Sequence, residues 1–257
     1  MAIHQTAVVE PGAEVDPSCD VGPYAVVGPH VKLGPGNTLA PHAVVIGRTT
    51  VGANNRFFSH CVVGGIPQDL KYRGEPTTLE IGDGNTFREF VSVSIGTAGG
   101  GGVTRIGSGS LLMANSHIGH DCQVGDGAII ANSVAIAGHV LIEDHVHFGG
   151  LSACHQFCRI GRLAFVGGMT GVGMDIAPYC TVAGSRAELA GLNTIGMQRA
   201  GMTEEQIARV KQAYKIAFRS NLGLAEAIAQ LEAELAGHPE TDHFIAFLKG
   251  SQRGITR

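Results

Sequence analysis

The chain is 257 residues long, with 38 glycines, no tryptophan and only 16% charged residues, a composition that excludes a disordered chain and argues against a helical bundle. Its net charge of −4 gives no basic footprint for nucleic acid. No apolar run approaches the roughly 20 residues that a membrane span needs, and the opening MAIHQTAVVE lacks the basic start and long apolar stretch of a secretion signal, so a soluble cytoplasmic protein is expected.

From Ile3, every sixth residue is apolar through Val9, Val15, Val21, Val27, Leu33, Leu39, Val45, Val51 and Phe57. A second run goes from Ile106 through Leu112, Ile118, Val124, Ile130, Ile136, Ile142, Phe148, Cys154, Ile160 and Val166 to Val172, and Ile81, Phe87 and Val93 bridge the two. Four residues after an anchor stands a small or β-branched residue, as at Ala7, Ala13, Cys19, Ala25, Val31 and Ala43. A period of six fits neither a helix nor an alternating strand. It is the hexapeptide repeat of a parallel β-helix, in which three hexads close a triangular coil of 18 residues and coils stack about 4.8 Å apart.

Two excursions interrupt the rhythm, near 66–78 (IPQDLKYRGEPTT) and near 97–104 (TAGGGGVT). Loops that leave a regular solenoid cost ordering entropy without adding core, which points to function or assembly. The glycine run reads as a mobile loop and not a phosphate cradle, since no helix follows it.

After about Pro178 the hexads stop. TEEQ, Thr203 to Gln206, is a capping box opening a helix with Ile207, Val210, Tyr214 and Phe218 on one face. A second helix carries Leu224, Ile228, Leu231 and Leu235, and a shorter one follows HPETD. The expected division is a β-helix over 1–185 and a helical domain over 186–257 that covers the open end of the solenoid, whose strand edges would otherwise be exposed.

Cys19, Cys61, Cys122 and Cys158 occupy inward small-residue positions and Cys154 is an anchor, so they read as small hydrophobes of a reducing compartment. The histidines need the 18-residue geometry. His120, Gly138 and Gln156 form one vertical stripe; Asp121, His139 and Phe157 form another beside it, and His117 and His155 flank both. None of these positions faces the core. An imidazole, a carboxylate, a glycine and an amide thus meet on one outer wall, where they suit a base, an orienting group and a backbone N–H for an oxyanion. A zinc site is the second functional reading, as in a γ-class carbonic anhydrase. A polar outer face, as at His30 and His42, and a non-catalytic scaffold are the others.

The segments QDLKYRGEPT, HIGHD, AGHV, HQFCRIG and GLNTIGMQRAGM, in this order on such a β-helix, closely resemble the UDP-N-acetylglucosamine O-acyltransferase family of lipid A biosynthesis. The resemblance implies a left-handed β-helix and a homotrimer with active sites between subunits. It further implies transfer of an (R)-3-hydroxyacyl group from acyl carrier protein to the sugar 3-hydroxyl, with no metal and no cofactor beyond the carrier's phosphopantetheine. On matching positions His120 is the general base, Asp121 orients it and the Gly138 N–H serves the oxyanion. Gln68, Asp69 and Lys71 match sugar- and phosphate-contacting positions, and His117, His139, His155 and Gln156 line the cleft. Asn193 and Arg199 match nucleotide contacts, and Gly168 matches the position that limits acyl length. Ser94 and Ile95 depart from the family's common His-Arg pair, and Ile195 and Ala200 from an acidic residue and an arginine. These departures raise the 3-amino analogue of the sugar nucleotide as an acceptor. The pathway's later N-acyltransferase carries an additional N-terminal domain, and acetyl-CoA-dependent relatives do not require QDLKY or GLNTIGM.

Overall fold

The computed structural model describes residues 2–257. Three sheets of 11, 9 and 8 strands, parallel apart from the last strand of the first, form the faces of a left-handed triangular β-helix. The register is the expected one: Ala2 lies against Asp20, Val8 against Val26 and Glu14 against Lys32, each 18 residues on. Most strands are two residues long, an outward residue followed by the inward anchor. Anchors from Val21 onward are buried, with Phe57 and Phe87 stacked 4.9 Å apart inside the prism. Beside them runs a buried asparagine ladder that the hexad pattern does not announce. Asn37 Oδ1 accepts from Asn55 N, Asn55 Oδ1 from Asn85 N, and Asn85 Oδ1 from Ser110 N, at 2.8–2.9 Å. The side chains thereby satisfy backbone donors that the corners leave unpaired.

Most corners turn through a residue with positive φ at the fourth hexad position. Asp121 (φ 60°), His139 (φ 62°) and Phe157 (φ 64°) all adopt this left-handed conformation, which costs a non-glycine residue roughly 1 kcal/mol. The ladders on both sides of the corner hold it there, and the side chain is projected outward.

The excursions are insertions into this register. Thr78 pairs with Arg48, 30 residues back, and Val103 pairs with Thr78, 25 back, in place of 18. Both leave the second sheet and re-enter at the third. Their limits are narrower than the sequence suggested, because Thr78 and the pair Val103 and Thr104 already belong to strands. The two loop bases are tied together. Thr78 N donates to Gly102 O at 2.9 Å and Gly96 N donates to Thr78 O at 3.0 Å.

Past the last coil, Cys180–Ala183 pairs antiparallel with Glu188–Leu192, a hairpin absent from the hexad reading that extends the first sheet. Four helices follow: α1 (Thr194–Arg199), α2 (Glu204–Phe218), α3 (Leu224–Leu235) and α4 (Pro239–Lys249). The Thr203–Gln206 capping box opens α2, with Ile207, Val210 and Tyr214 buried. α4 begins at Pro239, inside HPETD and not after it, with proline in the first turn where no N–H is needed. The helices dock through Arg159 over the Phe247 ring and His243 against Glu143. The edge of the last coil is met by the hairpin and by a bridge from Asp175 to Ile255, so backbone pairing covers it as well as helix packing.

Candidate active site

One edge of the prism, where the second sheet turns into the third, carries the polar residues on five successive coils. The first excursion, with Gln68, Asp69 and Lys71, leaves the helix there. The glycine-rich excursion follows one coil later, then the corners His120–Asp121, Gly138–His139 and Gln156–Phe157. The stripes read from the sequence are therefore real neighbours, and the topology adds the QDLK segment to the same edge.

The centre is an imidazole–carboxylate pair. His120 Nδ1 lies 2.7 Å from Asp121 Oδ2. The carboxylate has no proton to give, so Nδ1–H is the donor, and Nε2 is left as a free acceptor with no partner among the described residues. Asp121 does not stand on an open outer wall as expected. Its side chain is fully buried, while that of His120 is 16% exposed. The glycine-rich excursion covers it: Thr97 N donates to Oδ1 at 2.8 Å, Thr97 Oγ1 donates to Oδ2 at 2.6 Å, and Asp121 N donates to Thr104 Oγ1 at 2.8 Å. Sequence reading missed both threonines. Their signal was the position of TAGGGGVT one coil before HIGHD.

Gly138 lies directly beneath the base. A Cβ placed on it would sit 2.7 Å from His120 Cε1 and 2.8 Å from Nε2, so only glycine leaves room for the ring. Its N–H donates to no acceptor among the described residues. The repeat explains why. This third hexad position is proline at Pro11, Pro17, Pro23, Pro29, Pro35 and Pro41, so the ladder never requires a donor there. At Gly138 the same spare position supplies an N–H beside the base.

The remaining histidines frame this pair. His139 stacks on Phe157 at 4.4 Å, meets the His120 ring edge-on at 4.9 Å, and has Nδ1 3.8 Å from Asp121 Oδ2. His117 Nδ1 is 2.8 Å from Ser92 Oγ. His155 is exposed, its Nδ1 donating to Gln156 O at 3.1 Å, and Gln156 and Gln68 are exposed as well. Burial, then the charge of His120, holds His117 below the ordinary imidazole value of 6.5. Burial does the same at His139, against the upward pull of Asp121 and Asp69 and together with His120 and Lys71. The folded state therefore binds fewer protons at these rings than the unfolded chain does. Their stabilising contribution is complete above about pH 6.5 and is lost as pH falls from there toward the lowered folded values. The melting temperature is expected to drop on acidification through this window, and His117→Gln to flatten the drop. Equal slopes for the two proteins in a series of melts against pH would reject this assignment.

His120, Asp121 and His139 also form the cluster best suited to a metal ion. The fit is poor. Ligand atoms about 2.0–2.1 Å from a tetrahedral zinc stand about 3.3 Å apart, whereas Nδ1 and Oδ2 are joined at 2.7 Å by a hydrogen bond. Cys122, next in the chain, points into the core, where burial pushes its thiol up to about 12, so it offers no thiolate nucleophile. Cys180, unremarked in the sequence, is buried like the other five cysteines.

Three expected residues lie elsewhere on the chain. Gly168 occupies the corner between the first and second sheets. Asn193 and Arg199 line a cleft of about 870 Å³ over the first sheet with His145, His147, Arg162 and Phe165. The Asn193 amide is engaged at both ends, accepting from Gly196 N at 2.9 Å and donating to Leu163 O at 2.8 Å, as the cap of α1. His145, His147 and Arg162 escaped the sequence reading, although His147 precedes its anchor Phe148 just as His117 precedes Ile118. Burial, then Arg199, lowers the His147 pKa. Ile195 and Ala200 also line this cleft. Ser94 and Ile95, by contrast, are each 4% exposed, and Ile95 belongs to the core.

The chain is similar to known proteins along its whole length. A family described as UDP N-acetylglucosamine O-acyltransferase, domain 2, matches residues 175–256, and the bacterial transferase hexapeptide repeat matches 104–138. A relative from Anaeromyxobacter dehalogenans, named acyl-[acyl-carrier-protein]–UDP-N-acetylglucosamine O-acyltransferase, is 84% identical over the whole of both chains. One of the same name from Myxococcus xanthus is 56% identical over 99% of each. The solved UDP-N-acetylglucosamine O-acyltransferase of Moraxella catarrhalis superposes with a TM-score of 0.97 at 40% identity, covering both chains completely. That of Francisella novicida gives 0.96 at 34% identity over 99% of this chain and 94% of its own.

Proposed function

The chain belongs to the UDP-N-acetylglucosamine O-acyltransferase family, and from that premise we propose how its edge site transfers the acyl group. The reaction is the first acylation of lipid A biosynthesis, moving an (R)-3-hydroxyacyl group from acyl carrier protein to the 3-hydroxyl of UDP-N-acetylglucosamine. Nε2 of His120 removes the hydroxyl proton as the oxygen attacks the thioester carbonyl carbon. Negative charge develops on the former carbonyl oxygen and is met by the Gly138 N–H. Collapse breaks the carbon–sulfur bond, and the phosphopantetheine thiolate leaves with the proton that His120 carries. Asp121 balances the charge of the transient imidazolium. No residue is acylated and the step calls for no metal. The observation that carries this reading is the free Nε2 of an Asp-oriented imidazole over the unpaired N–H of Gly138.

Gln68, Asp69 and Lys71 enter as acceptor contacts from the excursion on the same edge, with His117, His139, His155 and Gln156 lining the groove. Asn193, Arg199 and Gly168 lie on other faces of the same chain. For a single substrate to reach both sets, two chains must adjoin, which supports a homotrimer with sites between subunits. No helix of the described residues is long and apolar enough to cross a membrane, and a cytoplasmic enzyme would meet its carrier protein there.

An alcohol acceptor suits this apparatus. A neutral amine attacks a thioester without prior proton removal, whereas a hydroxyl needs the oriented base. Ser94 and Ile95 are both buried. Purified protein given a panel of 3-hydroxyacyl carrier proteins with UDP-N-acetylglucosamine or its 3-amino analogue is expected to yield the ester, read by product mass. Amide as the preferred product would overturn the acceptor assignment, and no acylated nucleotide from either would overturn the reading.

A further inference from the structure

We propose that Thr97 is a positioning residue for acyl transfer, holding the Asp121 carboxylate ionised and oriented so that His120 keeps its proton on Nδ1 and its free pair on Nε2. The inference rests on the reading of His120 as the base.

A carboxylate withdrawn from water stays ionised only where donors replace the lost hydration. Asp121 has a side chain with no exposure, and among the described residues its oxygens accept three hydrogen bonds. One comes from His120, and the other two come from Thr97, which covers both oxygens with its N–H (2.8 Å to Oδ1) and its hydroxyl (2.6 Å to Oδ2). The glycine-rich excursion is built around this grip. Gly100 N and Gly102 N both donate to Thr97 O, at 3.0 and 2.9 Å, closing a short 3-10 turn over Ala98–Gly100. Any Cβ on Gly100 would collide with the Asp121 carboxyl group. One glycine of the run is thus required because the carboxylate fills the space a side chain would take. In the strand that the loop enters, Thr104 Oγ1 accepts the Asp121 N–H at 2.8 Å, so the same residue is held from both sides of the excursion. The ionisable groups around it are His120 and His139 against the carboxylate, His117 beside His120, and Asp69 and Lys71 acting on His139.

Removing the Thr97 hydroxyl takes a donor from Oδ2, the oxygen that His120 uses. The carboxylate becomes more basic and binds the imidazolium form of His120 more strongly. The pH at which His120 becomes neutral, and so able to accept the sugar proton, then rises. A merely structural threonine would not move that limb.

Thr97→Val keeps the shape and the N–H. It is expected to lower kcat about 10-fold and to move the acid limb of kcat/KM upward by about one pH unit, with KM for UDP-N-acetylglucosamine changed less than about two-fold. Thr97→Ser, which restores the hydroxyl, is expected to return both. A Thr97→Val enzyme with the wild-type limb and kcat, or a Thr97→Ser enzyme no better than the valine variant, would overturn the proposal. Should Thr97→Val not fold, Gly100→Ala presses on the same carboxylate from the loop and is expected to slow turnover and displace the same limb; an undisturbed profile there is equally fatal. Failure of the base reading shows separately, as full turnover by His120→Ala.

Discussion

His120→Ala is expected to cost roughly 10²–10⁴-fold in kcat, the range for losing a positioned general base, with the melting temperature almost unchanged. The side chain contributes nothing to the prism core. Its one strong contact is the 2.7 Å hydrogen bond to Asp121, and that carboxylate keeps both Thr97 donors after truncation. Loss of turnover with an intact fold therefore reports chemistry and not collapse. The product-mass assay together with a thermal melt decides the matter. Turnover within about ten-fold of wild type would mean that the acceptor proton goes elsewhere and that the edge is a binding surface.

Gly138→Ala should be nearly as damaging, although it adds only one methyl group. The new Cβ falls 2.7 Å from Cε1 and 2.8 Å from Nε2 of His120, well inside van der Waals contact, so the ring must swing away or the corner must open. Either movement separates the base from the N–H that receives the oxyanion. Loss of one oxyanion donor alone is worth roughly 10²–10³-fold in kcat. Because base and donor act on one transition state, His120→Ala and Gly138→Ala are expected to be far from additive, the double variant being scarcely slower than the worse single one. A control comes from the same corner position elsewhere in the repeat. Pro29→Ala and Pro35→Ala lie on coils far along the prism from His120 and His139 and should leave kcat intact. Wild-type turnover by Gly138→Ala would exclude any role for that N–H or for the close approach of the ring.

These effects separate two levels of information in the chain. The rhythm of apolar anchors was sufficient to predict a prism of 18-residue coils, because a six-residue period can bury its anchors only by turning a corner after each short strand. That in turn stacks Gly138 beneath His120 and His139 beneath Asp121, and pair geometry at a fixed interval is legible without coordinates. The helical segment was legible for a similar reason: the Thr203–Gln206 box and the faces of α2 and α3 are local patterns. The hairpin of Cys180–Ala183 with Glu188–Leu192 was not, since one short strand adding to a sheet edge carries no period of its own.

What only the tertiary structure decided concerns groups that meet across insertions and across faces. Thr97 and Asp121 are 24 residues apart, an interval that no repeat predicts once a loop has shifted the register, so the burial of the carboxylate and its clamp had to be seen. The asparagine ladder and the inward turn of Ile95 were hidden likewise, because burial depends on what packs above and below. The sequence alone determined the coil, the edge and the stacked polar pairs, through a period that the backbone must obey. The fold alone decided which of those side chains is sheltered from water, which donor is left unpaired, and that Arg199 and Gly168 face away from His120, since these follow from three-dimensional packing and from no regular spacing along the chain.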